Sequence, residues 1–323
     1  RDLVRSRGLG DVYKRQIMHS LAIIIPAYKP TYLRETLESI ANQTDKNFHL
    51  YIGDDCSPYD LKSIVDEFND RIPLTYHRFE SNLGGRDLVA QWERCIGLSE
   101  DESFIWLFSD DDTMSEDCVR NINSYIEKNP SHDVFRINVN VIDAESRHLR
   151  KVKFPQEISA KDLYIGKLNG SLECFVVEYI FSRKIYETSG KFVKFDLAWG
   201  SDLATWVNMA KDKGILSLTD GAVNWRSSGI NISTTQTPTI LKRKADALIE
   251  FLLWGENLFG DDPKIRKINT KGLLSRITQM AVQSDRTIGI APLKKYSVSK
   301  TDKFNLMVKY NIIYFLKKLH HVF

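Results

Sequence analysis

The 323-residue chain predicts an α/β fold: a mostly parallel sheet flanked by helices, followed by a C-terminal helical extension. Three observations predict it. From Leu21 onward short β-rich runs alternate with helical patterns, the signature of a sheet built from β-α steps. Four such steps fit into about 100 residues, with acidic or Gly-rich turns after the strands. Beyond Pro238 the strand signal stops and a helical period takes over. Apolar residues make up 42% and charged residues 27%, the composition of a soluble globular protein. No run approaches the roughly 20 apolar residues that a bilayer crossing needs, so the membrane-spanning class is excluded.

Taken in order, residues 21–25 read as a buried strand, and residues 30–43 place Leu33, Leu37, Ile40 and Ala41 on one helical face. A second strand over 48–52 stops at Gly53-Asp54-Asp55, and a second helix covers 61–68. A third strand over 74–79 leads into the turn Ser81-Asn82-Leu83-Gly84-Gly85 and a helix through Ile96. The fourth strand, 104–108, is wholly apolar and runs directly into Ser109-Asp110-Asp111-Asp112. The second half is less regular: strands are expected over 134–141 and 175–181, a helix over 201–211, and two strands over 215–218 and 223–226. Helices are expected over 240–258 and after Pro263 and Pro292.

These patterns divide the chain into a sheet-bearing domain, 18–238, and a helical region, 239–323. Residues 1–17 lack apolar periodicity and precede Met18, and they are expected to be a non-native leader. A signal peptide is the rival reading, but its apolar run would end at Pro26, too soon for an h-region. Charge divides along the same lines. Residues 264–323 carry 13 Lys/Arg against 2 Asp/Glu, whereas residues 18–263 carry 27 against 38. The four cysteines, Cys56, Cys95, Cys118 and Cys174, show neither C-x-x-C nor C/H spacing, so no disulfide framework or zinc site is signalled and a reducing cytosol fits.

Ligands of open α/β sheets gather outside the carboxyl ends of the strands. That rule selects Pro26-Ala27-Tyr28, Asp54-Asp55, the segment 82–86 and Asp110-Asp111-Asp112, which should face one crevice. Three adjacent carboxylates repel one another unless solvent or a cation relieves them, and Mg²⁺ or Mn²⁺ suits carboxylate oxygens. Helix capping by Asp112 or Ser115 is the competing explanation. Asp54 or Asp55 can accept hydrogen bonds from a nucleobase or ribose, or can cap a turn. Tyr28 could place a ring beside a base, or end a strand.

Read together, Leu21-Ala-Ile-Ile-Ile-Pro-Ala-Tyr-Lys29, Leu37-Glu-Ser-Ile-Ala-Asn-Gln-Thr44, Tyr51-Ile-Gly-Asp-Asp-Cys-Ser57, Asn82-Leu-Gly84 and Phe108-Ser-Asp-Asp-Asp112 resemble glycosyltransferase family 2 over about residues 20–230. The resemblance implies the GT-A fold, a Rossmann-like sheet, and a nucleotide-diphosphate sugar as donor. It implies that Pro26, Ala27 and Tyr28 line the nucleoside pocket, that Asp55 binds the base, commonly uracil, with Asp54 beside it, and that Arg86 approaches the nucleotide. Asp110 would lie near the ribose, Asp111 would match the metal ligand and Asp112 could share the ion. Asp202, in Ala198-Trp199-Gly200-Ser201-Asp202-Leu203, matches the catalytic base, although many members have Glu-Asp where this chain has Ser201-Asp202; an N-cap is the competing role. Arg226, in Asn224-Trp-Arg-Ser-Ser-Gly-Ile-Asn-Ile-Ser233, could meet the diphosphate or pair at the surface.

The expected function is therefore metal-dependent transfer, with inversion, of a sugar from a nucleotide-diphosphate donor, of the UDP type, to a hydroxyl of a glycan or lipid-linked acceptor in cell-surface polysaccharide synthesis. The expected location is cytoplasmic, with peripheral contact at the inner face of the cell membrane through the basic C-terminal region. There Phe304, Val308, Phe315, Leu319 and Val322 can share a helical face, while Leu306, Ile313 and Leu316 spread away from it. Packing of that helix on the catalytic domain or on a second subunit is the alternative. Nucleic acid is not an expected partner, because no recognised binding motif accompanies the charge. Two other function classes stay open. A nucleotidyltransferase would carry a Gly- and Lys/Arg-rich triphosphate loop after the first strand, which Pro26-Ala-Tyr-Lys-Pro30 is not. A non-catalytic sugar-nucleotide or glycan-binding protein would keep the pocket and lose the base.

Overall fold

A computed structural model describes residues 21–229, 237–260, 262–297 and 299–320. The leader 1–17, the last residues of the 224–233 motif and Val322 lie outside them. The first half follows the expected alternation: β1 (Leu21–Ala27), α1 (Leu33–Ala41), β2 (His49–Asp54), α2 (Leu61–Asp66), β3 (Leu74–Arg78), α3 (Leu88–Ile96) and β4 (Phe104–Leu107). A short β5 (Thr113–Met114) leads into α4 (Cys118–Lys128), and then come β6 (Val134–Ile142), β7 (His148–Lys151), β8 (Glu157–Ile158) and α5 (Ala160–Asn169). After them lie β9 (Tyr179–Ser182), α6 (Arg183–Thr188), α7 (Ser201–Met209) and β10 (Ile215–Arg226).

Strand β1 shows why this sequence makes a covered sheet. All its residues but Pro26 are buried, and alternate side chains go to opposite faces: Ala22 and Ile24 join one hydrophobic cluster, Leu21, Ile23 and Ile25 the other. Helices α1, α2 and α4 cover the second face through Leu33, Leu37, Leu61, Val65 and Ile122. Helices α3, α5 and α7 cover the first.

The strands lie in the order β3-β2-β1-β4-β9-β6-β10-β5, with β7 beside β6 and β8 beside β10. β1, β2, β3 and β4 pair in parallel, and β10 pairs in parallel with β6. β9 runs antiparallel between β4 and β6, so β4 and β6 point the same way; β5, β7 and β8 also pair antiparallel, with β10, β6 and β10. The strand expected over 175–181 is shorter, because Val176–Glu178 forms a 3-10 turn. There Glu178 is fully buried, accepts the Phe175 N–H at 3.0 Å and pairs with buried Arg136 at 2.6 Å. The two strands expected over 215–226 are one, β10, whose register with β6 shifts between Ser217 and Ala222. Gly221, at φ 79°, lies inside that shift, where a side chain would be strained.

Four further helices follow: α8 (Pro238–Phe259), α9 (Pro263–Gln283), α10 (Ile290–Tyr296) and α11 (Lys300–His320). The first two begin alike, with proline in the first turn and a capping side chain: Thr237 accepts from the Ile240 N–H, Asp262 from the Lys264 N–H. Apart from a small cluster of Leu241, Ala245, Met280 and Ile288, they share the core of the sheet. Leu248, Phe251 and Leu252 of α8, Ile265 and Leu273 of α9, and Leu306 and Tyr310 of α11 belong to the same cluster as Trp92 of α3 and Trp206 of α7. Close approach is fitted at Gly255, where an added Cβ would lie 2.2 Å from the Tyr164 hydroxyl. No helix of the described residues is long and apolar enough to cross a membrane.

Candidate active site

The site begins with register. Ala27 lies opposite Asp54, Asp54 opposite Arg78, and Ile24 opposite Leu107, so β1 to β4 end at one edge of the sheet. Hydrogen bonds then join the segments that leave it. The Asp55 N–H donates to the Ala27 carbonyl at 2.9 Å, and the Ser57 hydroxyl donates to the Tyr28 carbonyl at 2.7 Å. From β4, Asp110 Oδ2 accepts the N–H groups of Tyr28 and Lys29 at 2.8 and 2.9 Å. Ala27 is buried, Pro26 is half-buried, and Tyr28 keeps 39% of its surface exposed beside them. Ser57 and Lys29, which the sequence motifs contain without an assigned role, complete this seam through the Ser57 hydroxyl and the Lys29 N–H.

The three aspartates of the acidic turn have different situations. Burial pushes the Asp110 carboxyl up to about 6, against the pull of the Lys29 and Tyr28 N–H groups, and Asp111 adds to the rise. Asp112 is buried; desolvation foremost, then the charge of Asp111, lifts it well above the ordinary range. Its Oδ1 accepts the Arg226 N–H at 2.7 Å and its carbonyl accepts from the Thr36 hydroxyl at 2.8 Å, so it braces the turn from within. Asp111 is half-buried and is hydrogen-bonded by the Ser109 hydroxyl through Oδ1.

Burial and like charge therefore load this turn with electrostatic cost, and a divalent cation at Asp111, backed by Asp112, is a fitting counter-charge. Among the described residues no three His, Cys, Asp or Glu side chains gather as a metal cage. A cation here would draw the rest of its shell from phosphate oxygens and water, as Mg²⁺ commonly does.

Arg226 is placed under the turn and not in the crevice. It is fully buried; its Nε donates to the Asp111 carbonyl at 2.8 Å, Nη1 to the Ser146 hydroxyl at 2.8 Å and Nη2 to Glu35 Oε2 at 2.8 Å. The guanidinium also stacks 4.2 Å from the centre of the Tyr32 ring. Of the two roles expected for Arg226, at a diphosphate or in a surface pair, its placement bears on both: these donors fix the acidic turn to α1 and to the loop after β6.

Asp54 is also placed inside the fold. Its buried carboxylate accepts from the Ser57 N–H at 2.7 Å, the Tyr76 hydroxyl at 2.5 Å and Arg78 at 2.8 Å, which leaves it an internal brace between β2 and β3. Asp55 holds the turn after β3 by accepting the Leu83 and Gly84 N–H groups at 2.7 and 2.8 Å and the Asn82 amide at 2.9 Å. Arg94 pairs with its Oδ1 and lies 3.9 Å over the Phe79 ring. Arg86 is exposed beyond this turn, with Nη2 3.4 Å from the Asn82 carbonyl.

Asp202 stands on a separate element. Helix α7 begins at Ser201 with Gly200 as its N-cap, so Asp202 is the second helical residue and not the cap. Burial raises its carboxyl above the ordinary range, with the Leu203 N–H and Lys167 opposing. The preceding loop is held in unusual backbone: Leu197, Ala198 and Gly200 have φ of 58°, 54° and 89°. Arg243 of α8 grips Asp196 through two hydrogen bonds of 2.8 and 2.6 Å, Lys194 pairs with Glu93 of α3 at 2.6 Å, and the Ser201 hydroxyl accepts the Phe195 N–H at 2.9 Å. Among the described residues no hydrogen bond joins Asp202 to the acidic turn.

Comparison with known proteins adds to this geometry. The family model described as glycosyl transferase family 2 matches residues 22–189, just over half of the chain. An uncharacterized glycosyltransferase of Haemophilus influenzae is 28% identical over 163 residues, which cover 49% of this chain and 52% of that protein. A Campylobacter jejuni protein named GalNAc(5)-diNAcBac-PP-undecaprenol beta-1,3-glucosyltransferase is 25% identical over 208 residues, 61% of each chain. The chain thus matches about half to three fifths of the length of these two relatives. The crystal structure of residues 1–349 of Staphylococcus aureus TarS in complex with UDP-GlcNAc superposes with a TM-score of 0.63 at 14% identity, over 94% of this chain and 91% of that one. The architecture is thus the GT-A fold.

Proposed function

The chain belongs to glycosyl transferase family 2, and from that premise we propose that it transfers a sugar from a UDP-sugar, with inversion, to a hydroxyl of a glycan or lipid-linked saccharide. The observation that carries this reading is the seam at the sheet edge, where Asp110 holds the Tyr28-Lys29 backbone and Asp111 stands next to it. Two relatives support the donor and the acceptor class: TarS has been crystallised with UDP-GlcNAc, and the Campylobacter protein is named for a polyprenol-linked glycan. The setting consistent with them is the cytoplasmic face of the membrane, in cell-surface polysaccharide synthesis.

In this scheme Tyr28, with Pro26 and Ala27 behind it, offers a ring face to the base. Asp55 shapes the turn that bears Arg86, which reaches toward the nucleotide, and Asp110 orders the backbone against which the ribose rests. Asp111, backed by Asp112, would hold Mg²⁺ or Mn²⁺. Such an ion, when bound, compensates the charge that develops on a leaving diphosphate. An acceptor hydroxyl is a weak nucleophile, and Asp202 serves as the carboxylate that takes its proton as the bond to the anomeric carbon forms. Burial equips it for this, because it raises the carboxyl's pKa and a higher pKa makes a stronger base.

A thermal-shift screen of UDP, GDP and dTDP sugars, each with and without Mn²⁺, tests the reading. Stabilisation by a UDP-sugar that grows with Mn²⁺ is expected. Stabilisation by nucleoside triphosphates alone would move the protein to the nucleotidyltransferases. Donor binding without transfer to any of a broad acceptor panel would make it a binding protein.

A further inference from the structure

Away from the crevice, a cavity of about 480 Å³ opens between α9 and α11. Arg266, Lys267, Thr270, Lys271 and Lys309 line it, and no carboxylate does. Arg266 is committed: it donates to Glu256 at 2.9 Å, to Asp302 at 3.2 Å and to the Tyr296 carbonyl at 3.1 Å. Lys267, Lys271 and Lys309 form no ion pair with a described residue, so three positive charges face one hollow without a counter-charge.

Helix α11 borders this cavity and has two apolar faces. Leu306, Tyr310 and Tyr314 point inward and are 2%, 0% and 7% exposed. At about 100° per residue, Phe304, Val308, Ile312, Phe315, Leu316 and Leu319 form a second stripe on the opposite side, and all six are exposed, Phe304 to 69%. Lys309 falls at one edge of that stripe, and Lys300 and Lys318 fall at the other. A continuous exposed apolar stripe of this kind marks an interaction surface. The charge selects the occupant. A second copy would bring like rows of lysine against each other, whereas an anionic bilayer offers phosphates to the lysines and an acyl boundary to the stripe.

We propose that α11 docks on an anionic phospholipid surface, its apolar stripe entering the headgroup–acyl boundary while a lipid phosphate sits in the basic cavity between α9 and α11. This inference goes beyond the transfer reaction and does not depend on it.

Sedimentation of the full chain with vesicles tests it, using phosphatidylcholine alone and phosphatidylcholine with about a quarter phosphatidylglycerol. Binding to the anionic vesicles should exceed binding to the neutral ones by about tenfold and weaken as salt is raised. The paired substitution Phe304→Ser and Phe315→Ser should lower vesicle binding about tenfold with the thermal unfolding midpoint unchanged, since both side chains are exposed. Lys267→Glu with Lys271→Glu should remove the preference for anionic lipid. Three results would each overturn the proposal: no vesicle binding by the parent protein; stripe variants that sediment as the parent does while inorganic phosphate still occupies the cavity; or stripe variants that only convert a dimer to a monomer in analytical ultracentrifugation.

Discussion

Asp55 and Asp202 are aspartates placed in opposite situations. The oxygens of Asp55 are taken up by backbone N–H groups and Arg94, while Asp202 is lifted in pKa at the start of α7. Asp202→Asn should keep donor affinity and lower transfer by a factor on the order of 10² to 10⁴, the range for loss of a general base; isothermal titration and an initial-rate assay separate the two. The base must be ionised, so activity should fall as pH drops through its folded pKa. Because burial raises that pKa, the acid limb of kcat/KM should lie above the ordinary aspartate value of about 4. A limb at the ordinary value would return Asp202 to a structural role. Asp111→Ala and Asp112→Ala should differ in kind. The first should abolish Mn²⁺-enhanced donor binding with little change in melting. The second should cost about 1–3 kcal/mol of stability, because the buried Arg226 N–H loses its acceptor.

Gly200 shows how an element fixes the geometry of a site. Its φ of 89° turns the chain into α7, and an added Cβ would meet the Phe251 ring at 3.2 Å. Gly200→Ala should therefore cost about 1 kcal/mol or more in urea unfolding and lower turnover further than that loss alone explains, by displacing Asp202. At the 3-10 turn before β9, Glu178→Gln should cost about 3–5 kcal/mol, because Arg136 would be left buried without its counter-charge.

The same elements show what the sequence could reveal. Strands β1, β2 and β4 were legible because both faces are covered, which makes each a largely apolar run ending at an acidic or Gly-rich turn, whereas β3, Leu-Thr-Tyr-His-Arg at the sheet's end, is only partly buried and showed mainly through its place in the alternation. β7, His-Leu-Arg-Lys, is exposed along its whole length and carries no such signal, and β5 and β8 have two residues each. The identities of the site residues were legible as motifs. The division of labour among them was not, because it depends on partners far away in the chain. Arg226 is fixed by Glu35, 191 residues earlier, and by Asp112, 114 residues earlier. Asp54 is neutralised by Arg78 on the neighbouring strand.

At the scale of the whole molecule, the shared core makes the C-terminal helices part of the structure that supports the site. A chain ending at residue 237 would uncover Tyr164, which packs against Phe251 and Phe259 and bonds Asn269, and the loop that Phe251 backs. Such a truncation should lose cooperative thermal unfolding and soluble yield, measured by calorimetry and by fractionation after expression; a sharp transition at the parent temperature would show the core to be divisible. A hinge between two bodies needs a plane across which few side chains interlock. Among the described residues, one cluster runs from Ile24 and Ile105 in the sheet to Tyr314 in the last helix and bridges any such plane between the sheet and the C-terminal helices. Any opening and closing around a bound molecule would then fall to short stretches such as Asp196–Ala198, where release of Asp196 from Arg243 would let the chain bend against the shared core.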